Sequence, residues 1–293
     1  MQKHRYFTRL QKRAQERREF LRWNHNGIYA CSMAGNRTNQ DRVVLSDYTV
    51  GVLDGHGQHG DVVAQAVLDS IESHQTDFSS FDIATLTKTI ENIPDNEDEK
   101  LNKNGTTLCL ALHTENELVT INVGDSKVML ISRCPQTQEW STKWLTNDHS
   151  YDNKDEQKRV IDQGGRFVRT LFGNKKALCA PDGGWLAMTR AIGDYDLRPV
   201  GLIKTPEIRS HQIRDCDMFA LVMTDGVSDY LTGNMVTSIM EETEKTRNLY
   251  SKVNREDIAD ILCNMAITYA SCTNRRIDDA SIVVIRLAPP ADD

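Results

Sequence analysis

The chain has 293 residues, of which 39% are hydrophobic and 26% are charged, and its formal net charge is −7. This composition predicts a globular protein with enough apolar material for a large core, and the length fits one large sandwich or α/β domain. No apolar run approaches the roughly 18 residues that a membrane-spanning helix needs.

The N-terminus is strongly basic. Residues 1–22 contain eight Lys or Arg residues and two Glu residues, which gives +6 there and leaves −13 on the rest of the chain. We predict a basic helical arm over residues 1–26. A solvated helix packed on an acidic body is the commoner outcome, and contact with an acidic membrane, nucleic acid or a partner is the alternative. The arm has neither the apolar segment of a secretory signal nor the N-terminal glycine that myristoylation requires.

Seven cysteines are scattered along the chain without a CxxC pair. An odd, unpaired set argues against a disulfide framework and a zinc knuckle, so the sequence predicts a reducing compartment and small core thiols. We expect a cytoplasmic protein, with nuclear or peripheral membrane association as open alternatives.

Apolar–polar alternation, rich in β-branched residues, predicts strands along much of the chain. The predicted strands cover residues 28–33, 42–54, 106–114, 117–125, 127–132, 207–213, 218–226 and 280–287. Apolar residues at helical spacing predict helices over 61–75, 83–93, 155–165, 235–247 and 255–270. Because the links between strands are short, this order predicts an α+β fold in which two antiparallel sheets form a sandwich and pairs of helices flank it.

Acidic residues stand at the ends of four apolar runs. Asp54 ends one, Asp225 ends another, and Asp41 and Asp278 each precede one directly. Strand ends border loops, where Asp is common for reasons of turn structure alone. If the four carboxylates converge at one rim of the sandwich, however, they form an oxygen-rich cluster of the kind that binds magnesium or manganese. A glycine follows both Asp54 and Asp225, which we interpret as room for the backbone to approach a ligand.

Nine segments carry a resemblance to a known family. GNRTNQDR, VLDGHGQHGDVVA, GTTLCLAL, TINVGDSKVML, WLTNDHS, EQKRVIDQGGRF, LAMTRAIGDYDLRPVGLIKTPEI, FALVMTDGVSDYL and DDASIVVI occur in this order. The same order is found in the metal-dependent protein serine/threonine phosphatases (PPM, or type 2C). The resemblance implies a catalytic domain over residues 27–288, followed by a short tail at 289–293.

The resemblance also implies a centre with two Mg²⁺ or Mn²⁺ ions at one end of the sandwich. Asp54 would bridge both ions, the Gly55 carbonyl would bind one of them, and Asp225 and Asp278 would complete the centre. Asp41 would bind through a water. Asp125 and Asp229 match the ligands of a third, weaker ion.

Two further residues match the reactive groups of the family. Arg37 corresponds to the arginine that grips the phosphate, and His56 to the general acid that protonates the departing serine or threonine oxygen. Paired cations lower the pKa of a bridging water, which attacks phosphorus in line, so no phosphoenzyme is expected. The expected substrates are phosphoserine and phosphothreonine proteins, and we expect a monomer that does not bind nucleic acid.

Two other classes of protein stay open on the sequence alone. A pseudophosphatase would keep the sandwich and bind a signalling partner without chemistry, although loss of a metal carboxylate would then be expected. A two-metal nuclease would need a basic groove, which a body at −13 disfavours.

Asp279 stands where the family usually has Asn, which adds a negative charge near the centre. Residues 167–187 take the place of the family's flap, and we expect Arg190 and Asp194 to pin its base through ion pairs.

Overall fold

The computed structural model describes residues 21–25, 27–35, 38–74, 83–93, 102–170, 176–249, 257–273 and 277–287. Within these ranges, no helix combines the length and apolarity needed to cross a bilayer. All seven cysteines lie in them, and each is a free thiol.

Groups of strands alternate with helices along the chain. In chain order, the strands are β1 (Leu21–His25), β2 (Ile28–Met33), β3 (Arg42–Leu45), β4 (Thr49–Leu53), β5 (Gly55–His56), β6 (Gly105–Thr106), β7 (Leu108–His113), β8 (Glu117–Val123), β9 (Lys127–Arg133), β10 (Trp140–Trp144), β11 (Phe167–Arg169), β12 (Lys176–Cys179), β13 (Trp185–Leu186), β14 (Ile192–Gly193), β15 (Glu207–Gln212), β16 (Asp217–Met223) and β17 (Ala280–Arg286). The helices are α1 (Gly60–His74), α2 (Ile83–Asn92), α3 (Lys154–Asp162), α4 (Asp225–Ser228), α5 (Gly233–Leu249) and α6 (Asp257–Cys272), with a 3-10 helix at Tyr195–Val200.

Two antiparallel sheets form a sandwich. One has six strands in the order β1-β2-β17-β16-β9-β10, and the other has five in the order β15-β8-β7-β4-β3. Two small three-stranded sheets, β11-β12-β13 and β14-β6-β5, lie beside them. The predicted class, a sandwich of two antiparallel sheets flanked by helices, is confirmed.

Among the described residues, three of the four apolar clusters form layers that follow from the alternation of the strands. The central layer joins the two sheets through residues such as Val52, Leu130 and Val283. Helices α5 and α6 cover the outer face of the six-stranded sheet, and α1 and α2 cover the outer face of the five-stranded sheet. Alternate residues of one strand enter different layers, which is why strands buried on both faces look almost continuously hydrophobic.

The end of the predicted helical arm is a strand instead. Residues 21–25 form β1 and pair antiparallel with β2, His25 opposite Ile28. The sequence Asn26-Gly27 lies between the two strands, and Gly27 has a φ of 77°. Asn-Gly between two strands is a strong signal for a two-residue hairpin, and the basic composition obscured it. Residues 1–20 lie outside the described residues, so the rest of the arm stays a prediction.

The predicted run 42–54 is also two strands. β3 and β4 form a hairpin in which the Ser46 hydroxyl donates to the Thr49 carbonyl and accepts from the Thr49 N–H. This turn uses a serine side chain and no glycine, so the alternation of apolar residues seemed to continue through it.

Candidate metal centre

Asp54 follows β4 and is fixed from both sides by one threonine. Its backbone N–H donates to the Thr107 hydroxyl at 3.0 Å, and its carbonyl accepts from the Thr107 N–H at 2.9 Å. The same hydroxyl lies 2.7 Å from the Ser126 hydroxyl. The chain of contacts ties Asp54 to the turn between β8 and β9 that carries Asp125.

Asp41 and Asp225 are brought together by Thr224. The Thr224 hydroxyl donates to Asp41 Oδ2 at 3.1 Å, and Asp225 is the next residue and begins α4. The Thr224 hydroxyl also accepts from the N–H of Ser281 on β17. Residues that are distant in the sequence therefore meet at one rim of the sandwich.

Asp279 holds the loop that precedes Asp41. Its Oδ1 accepts from the Gly35 N–H at 2.8 Å and its Oδ2 from the Gln40 N–H at 2.7 Å. Asp278, directly before it, accepts from the Asp279 N–H at 3.1 Å. The additional acid noted in the sequence thus binds backbone at two points.

The two glycines that follow the acids are needed for packing. A Cβ on Gly55 would lie 2.5 Å from the Gly60 carbonyl oxygen and 2.6 Å from that of Gln40. A Cβ on Gly226 would lie 1.8 Å from the Asp279 carbonyl oxygen. We interpreted these glycines as room for a ligand, but the space beside each is filled by protein backbone.

Neighbouring carboxylates raise the pKa of Asp54 and of Asp41. Burial and then repulsion by Asp41, Asp225, Asp125 and Asp278 hold the pKa of Asp54 well above its ordinary value. Burial and then Asp279 do the same for the pKa of Asp41, although Thr224 opposes the shift. Asp41 is 4% exposed, and its Oδ1 has no hydrogen-bond partner.

This donor set fits a hard divalent cation in type and charge. All its ligand atoms are oxygens, it carries several negative charges, and one buried carboxylate oxygen is unsatisfied. In the part of the chain that the structure describes, however, no three Asp, Glu, His or Cys side chains form a group close enough to hold an ion. The acids are gathered around Asp54 and are not closed into one ligand shell.

The structure does not place two further predicted site residues in this group. Asp229 is exposed, one helical turn after Asp225, and is not among the acids that most raise the pKa of Asp54. Arg37 lies outside the described residues, so its role stays a prediction.

His56 is held by an acid that the sequence analysis assigned to the flap. Its Nε2 lies 2.6 Å from Oδ2 of Asp194, which is 3% exposed. Burial lowers the pKa of His56, but the charge and hydrogen bond of Asp194 raise it more, so the net shift is upward. We expected Asp194 to pin the flap base by an ion pair; this was wrong, because the residue reaches His56.

Two features of the backbone accommodate the contact between His56 and Asp194. Asp194 itself has left-handed dihedrals, φ 49° and ψ 54°, which few non-glycine residues adopt. Gly105, opposite His56 in the β5–β6 pair, leaves room for both side chains. A Cβ there would lie 2.1 Å from Asp194 Oδ2 and 2.6 Å from His56 Nε2.

Glu156 on α3 anchors the segment that leads to Asp194. Its carboxylate accepts from Arg159 at 2.7 Å, from Arg190 at 2.6 Å and from the Thr189 hydroxyl at 2.7 Å. Arg190 therefore forms an ion pair with Glu156 of α3, and its expected role at the base of the flap stays a prediction. Strand β14 (Ile192–Gly193) lies between Arg190 and Asp194 in the sequence.

The fold and the site together define a two-sheet sandwich with an acidic rim. The sequence model of the Protein phosphatase 2C family matches residues 12–275. The chain belongs to this family. The match begins within the predicted arm, in agreement with β1 as part of the sandwich.

Named relatives and solved structures agree with this assignment. "Probable protein phosphatase 2C 61" of Arabidopsis thaliana is 29% identical over 285 residues, covering 87% of this chain and 83% of that protein. The serine-threonine phosphatase 2C of Toxoplasma gondii has a similar fold, with a TM-score of 0.69, 18% identity, and coverage of 91% of this chain and 98% of that one. The catalytic domain of the phosphatase PstP, solved with two manganese ions, gives a TM-score of 0.58 at 21% identity, covering 88% and 96%.

Proposed function

We propose that the protein is an active, metal-dependent phosphatase that hydrolyses phosphoserine and phosphothreonine in proteins. The observation that supports this most directly is the position of Asp54 among four other carboxylates, whose mutual repulsion raises its pKa. A cluster of partly buried acids without a cation is costly, and divalent ions remove that cost. Family membership supplies the reaction class.

The acids on the rim would hold the ions. Asp54 with the Gly55 carbonyl, Asp225 and Asp278 would provide the direct ligands, and Asp41 would act through water. Asp125 and Asp229 would hold a third, weaker ion. When bound, Mg²⁺ or Mn²⁺ supplies an activated water and neutralises the charge that develops on the phosphoryl group.

The side chains of the protein would bind the phosphate and deliver the proton. Arg37 would grip two phosphate oxygens through its planar guanidinium group. His56 would donate a proton to the departing serine or threonine oxygen, with Asp194 fixing the orientation of its ring. Water attacks phosphorus directly, so no phosphoenzyme forms.

The direct test is hydrolysis of a phosphoserine peptide by the full chain. We expect activity with added Mn²⁺ or Mg²⁺ and none in EDTA, with recovery when the ion is restored. Absence of activity with saturating Mn²⁺ would refute the proposal and would favour the alternative, a PPM-like scaffold that binds a signalling partner. Equal activity in EDTA would refute the dependence on metal.

Replacing Asp194 by Asn should slow the hydrolysis of substrates with poor leaving groups most. The amide keeps the size of the side chain but removes the charge that stabilises a protonated His56. We expect kcat on a phosphoserine peptide to fall by about 100-fold, because general acid catalysis contributes on that scale. Hydrolysis of p-nitrophenyl phosphate should change much less, because p-nitrophenolate leaves without a proton.

The control measurement for Asp194→Asn is the Mn²⁺ concentration that gives half-maximal activity. It should stay at the wild-type value, since Asp194 contacts His56 and not the acidic rim. An equal fall on both substrates would show that Asp194 supports the fold and does not position the acid.

The location of the protein also remains a proposal. We propose a reducing compartment, and specifically the cytoplasm, on the basis of free cysteines that include four buried ones.

A further inference from the structure

The side of the sandwich opens into a small cavity of about 110 Å³. It lies between β10, an edge strand of the six-stranded sheet, and β15, an edge strand of the five-stranded sheet. Leu118, Thr120 and Leu145 are among the residues that form its inner part. The basic groups that line the cavity belong to Lys143, Arg209 and His211.

Strand register explains why these basic residues meet. Arg209 pairs with Thr120 and His211 pairs with Leu118, which belongs to the layer between the sheets. Paired residues of antiparallel strands point to the same face. Lys143 pairs with Leu130, which also belongs to the central layer. Both edge strands therefore turn basic side chains toward the opening between the sheets.

The charges around the opening leave one cation without an acidic partner among the described residues. Arg209 binds Glu207 at 3.1 Å, and His211 binds Asp217 at 2.8 Å. Lys143 takes part in none of the ion pairs formed by the described residues. A positive group at a cavity mouth favours a small anion there.

Thr120 provides a second, independent indication of a ligand. It is 2% exposed, and its hydroxyl is among the buried polar atoms of the described residues that have no hydrogen-bond partner. An unsatisfied buried hydroxyl is unfavourable, and Val would fill the same volume without that penalty. A threonine at this position is explained if its hydroxyl donates to a ligand oxygen.

We propose that this cavity binds a small oxyanion of the phosphate class, held by Lys143 and Arg209 at the mouth and by the Thr120 hydroxyl inside. The site is separate from the acidic rim, because roughly 10 Å of extended strand lies between Thr120 and the end of β8. It does not depend on the proposed activity. The phosphate could be inorganic or carried as a monoester on a peptide.

The test is binding of inorganic phosphate to the full chain in EDTA, measured by calorimetry. Without a cation the acidic rim repels phosphate, and the cavity variants show how much of the remaining binding belongs to the cavity. We expect saturable binding in the millimolar range, weakened about fivefold by Thr120→Val through loss of one hydrogen bond and at least as much by Lys143→Ala. The control is Lys158→Ala, which removes the same charge from the surface of α3 and should bind as wild type.

A phosphoserine peptide distinguishes the two sources of phosphate. Binding of both ligands, each weakened by Thr120→Val, indicates recognition of the phosphate group itself. Tighter binding of the peptide than of inorganic phosphate indicates a monoester ligand. If neither ligand binds wild type, or if Thr120→Val and Lys143→Ala bind both as wild type does, the proposal is wrong.

Discussion

Asp54→Asn is expected to abolish phosphatase activity. Asp54 lies among the other four carboxylates, and its loss should remove the transition-state stabilisation that bound ions provide. If that contribution is about 4 kcal/mol, kcat/KM falls on the order of 10³-fold. The measurement is hydrolysis of a phosphoserine peptide over a range of Mn²⁺ concentrations, with wild type and variant compared at saturation.

The same substitution should make the metal-free protein more stable. Because the pKa of Asp54 is raised in the folded state, its protonated carboxyl group favours folding below its ordinary pKa, and this contribution is lost by ionisation as pH rises through the raised pKa. At neutral pH in EDTA the variant lacks that repulsion, so its Tm should exceed that of wild type. Added Mn²⁺ should raise the Tm of wild type and leave that of the variant nearly unchanged.

Asp162→Asn is the matched control for these experiments. Asp162 is an exposed acid on α3 that pairs with Lys158 one helical turn away. Its loss should change neither activity nor the response to Mn²⁺. Substantial activity in Asp54→Asn, or a lower Tm than wild type in EDTA, would contradict the assignment of Asp54 to the metal centre.

Glu156→Gln is expected to destabilise the fold by about 3 kcal/mol at neutral pH. Burial raises the pKa of Glu156, but hydrogen bonds from Arg190, Arg159 and Thr189 outweigh it and lower the pKa to about 2. The amide cannot neutralise the two arginines, so buried positive charge would remain unpaired. Urea unfolding at neutral pH measures the loss.

The pH dependence of that loss identifies its cause. A carboxylate with a lowered pKa stabilises the fold above its ordinary pKa of 4.5, and this contribution disappears as pH falls through about 2. The difference between wild type and Glu156→Gln should therefore shrink with acidification below 4.5. Glu139→Gln, in the exposed link between β9 and β10, should stay within about 0.5 kcal/mol of wild type. A difference that does not vary with pH would exclude the ion pairs as its source.

The sandwich and most of its acidic rim could be predicted because each depends on local signals. Alternation of period two marks buried strands, and Asp54, Asp225 and Asp278 stand where those runs stop or start. Short links between runs favour antiparallel pairing, so the strand ends converge. The resemblance to the family then predicts which of these acids belong together.

Other features could not be predicted, since they arise only from tertiary contacts. Asp194 is 138 residues from His56, and nothing in the RAIGD segment indicates which partner it takes. The tight packing of Gly55 and Gly226 against backbone is likewise invisible in sequence, where a glycine after an acid suggests space. The Asn26-Gly27 hairpin is different: its signal was present, and the basic charge around it led to the wrong prediction.

Asp279 accepts two backbone hydrogen bonds from the loop before Asp41, and its charge also acts on Asp41. An asparagine offers one oxygen, whereas the carboxylate accepts from both ends of the loop that contains Arg37, including a residue 244 positions away. The added negative charge is also the second contribution, after burial, to the raised pKa of Asp41. Asp279 thus holds the backbone before Asp41 and at the same time raises the pKa of Asp41, so a mutation at 279 is expected to alter both.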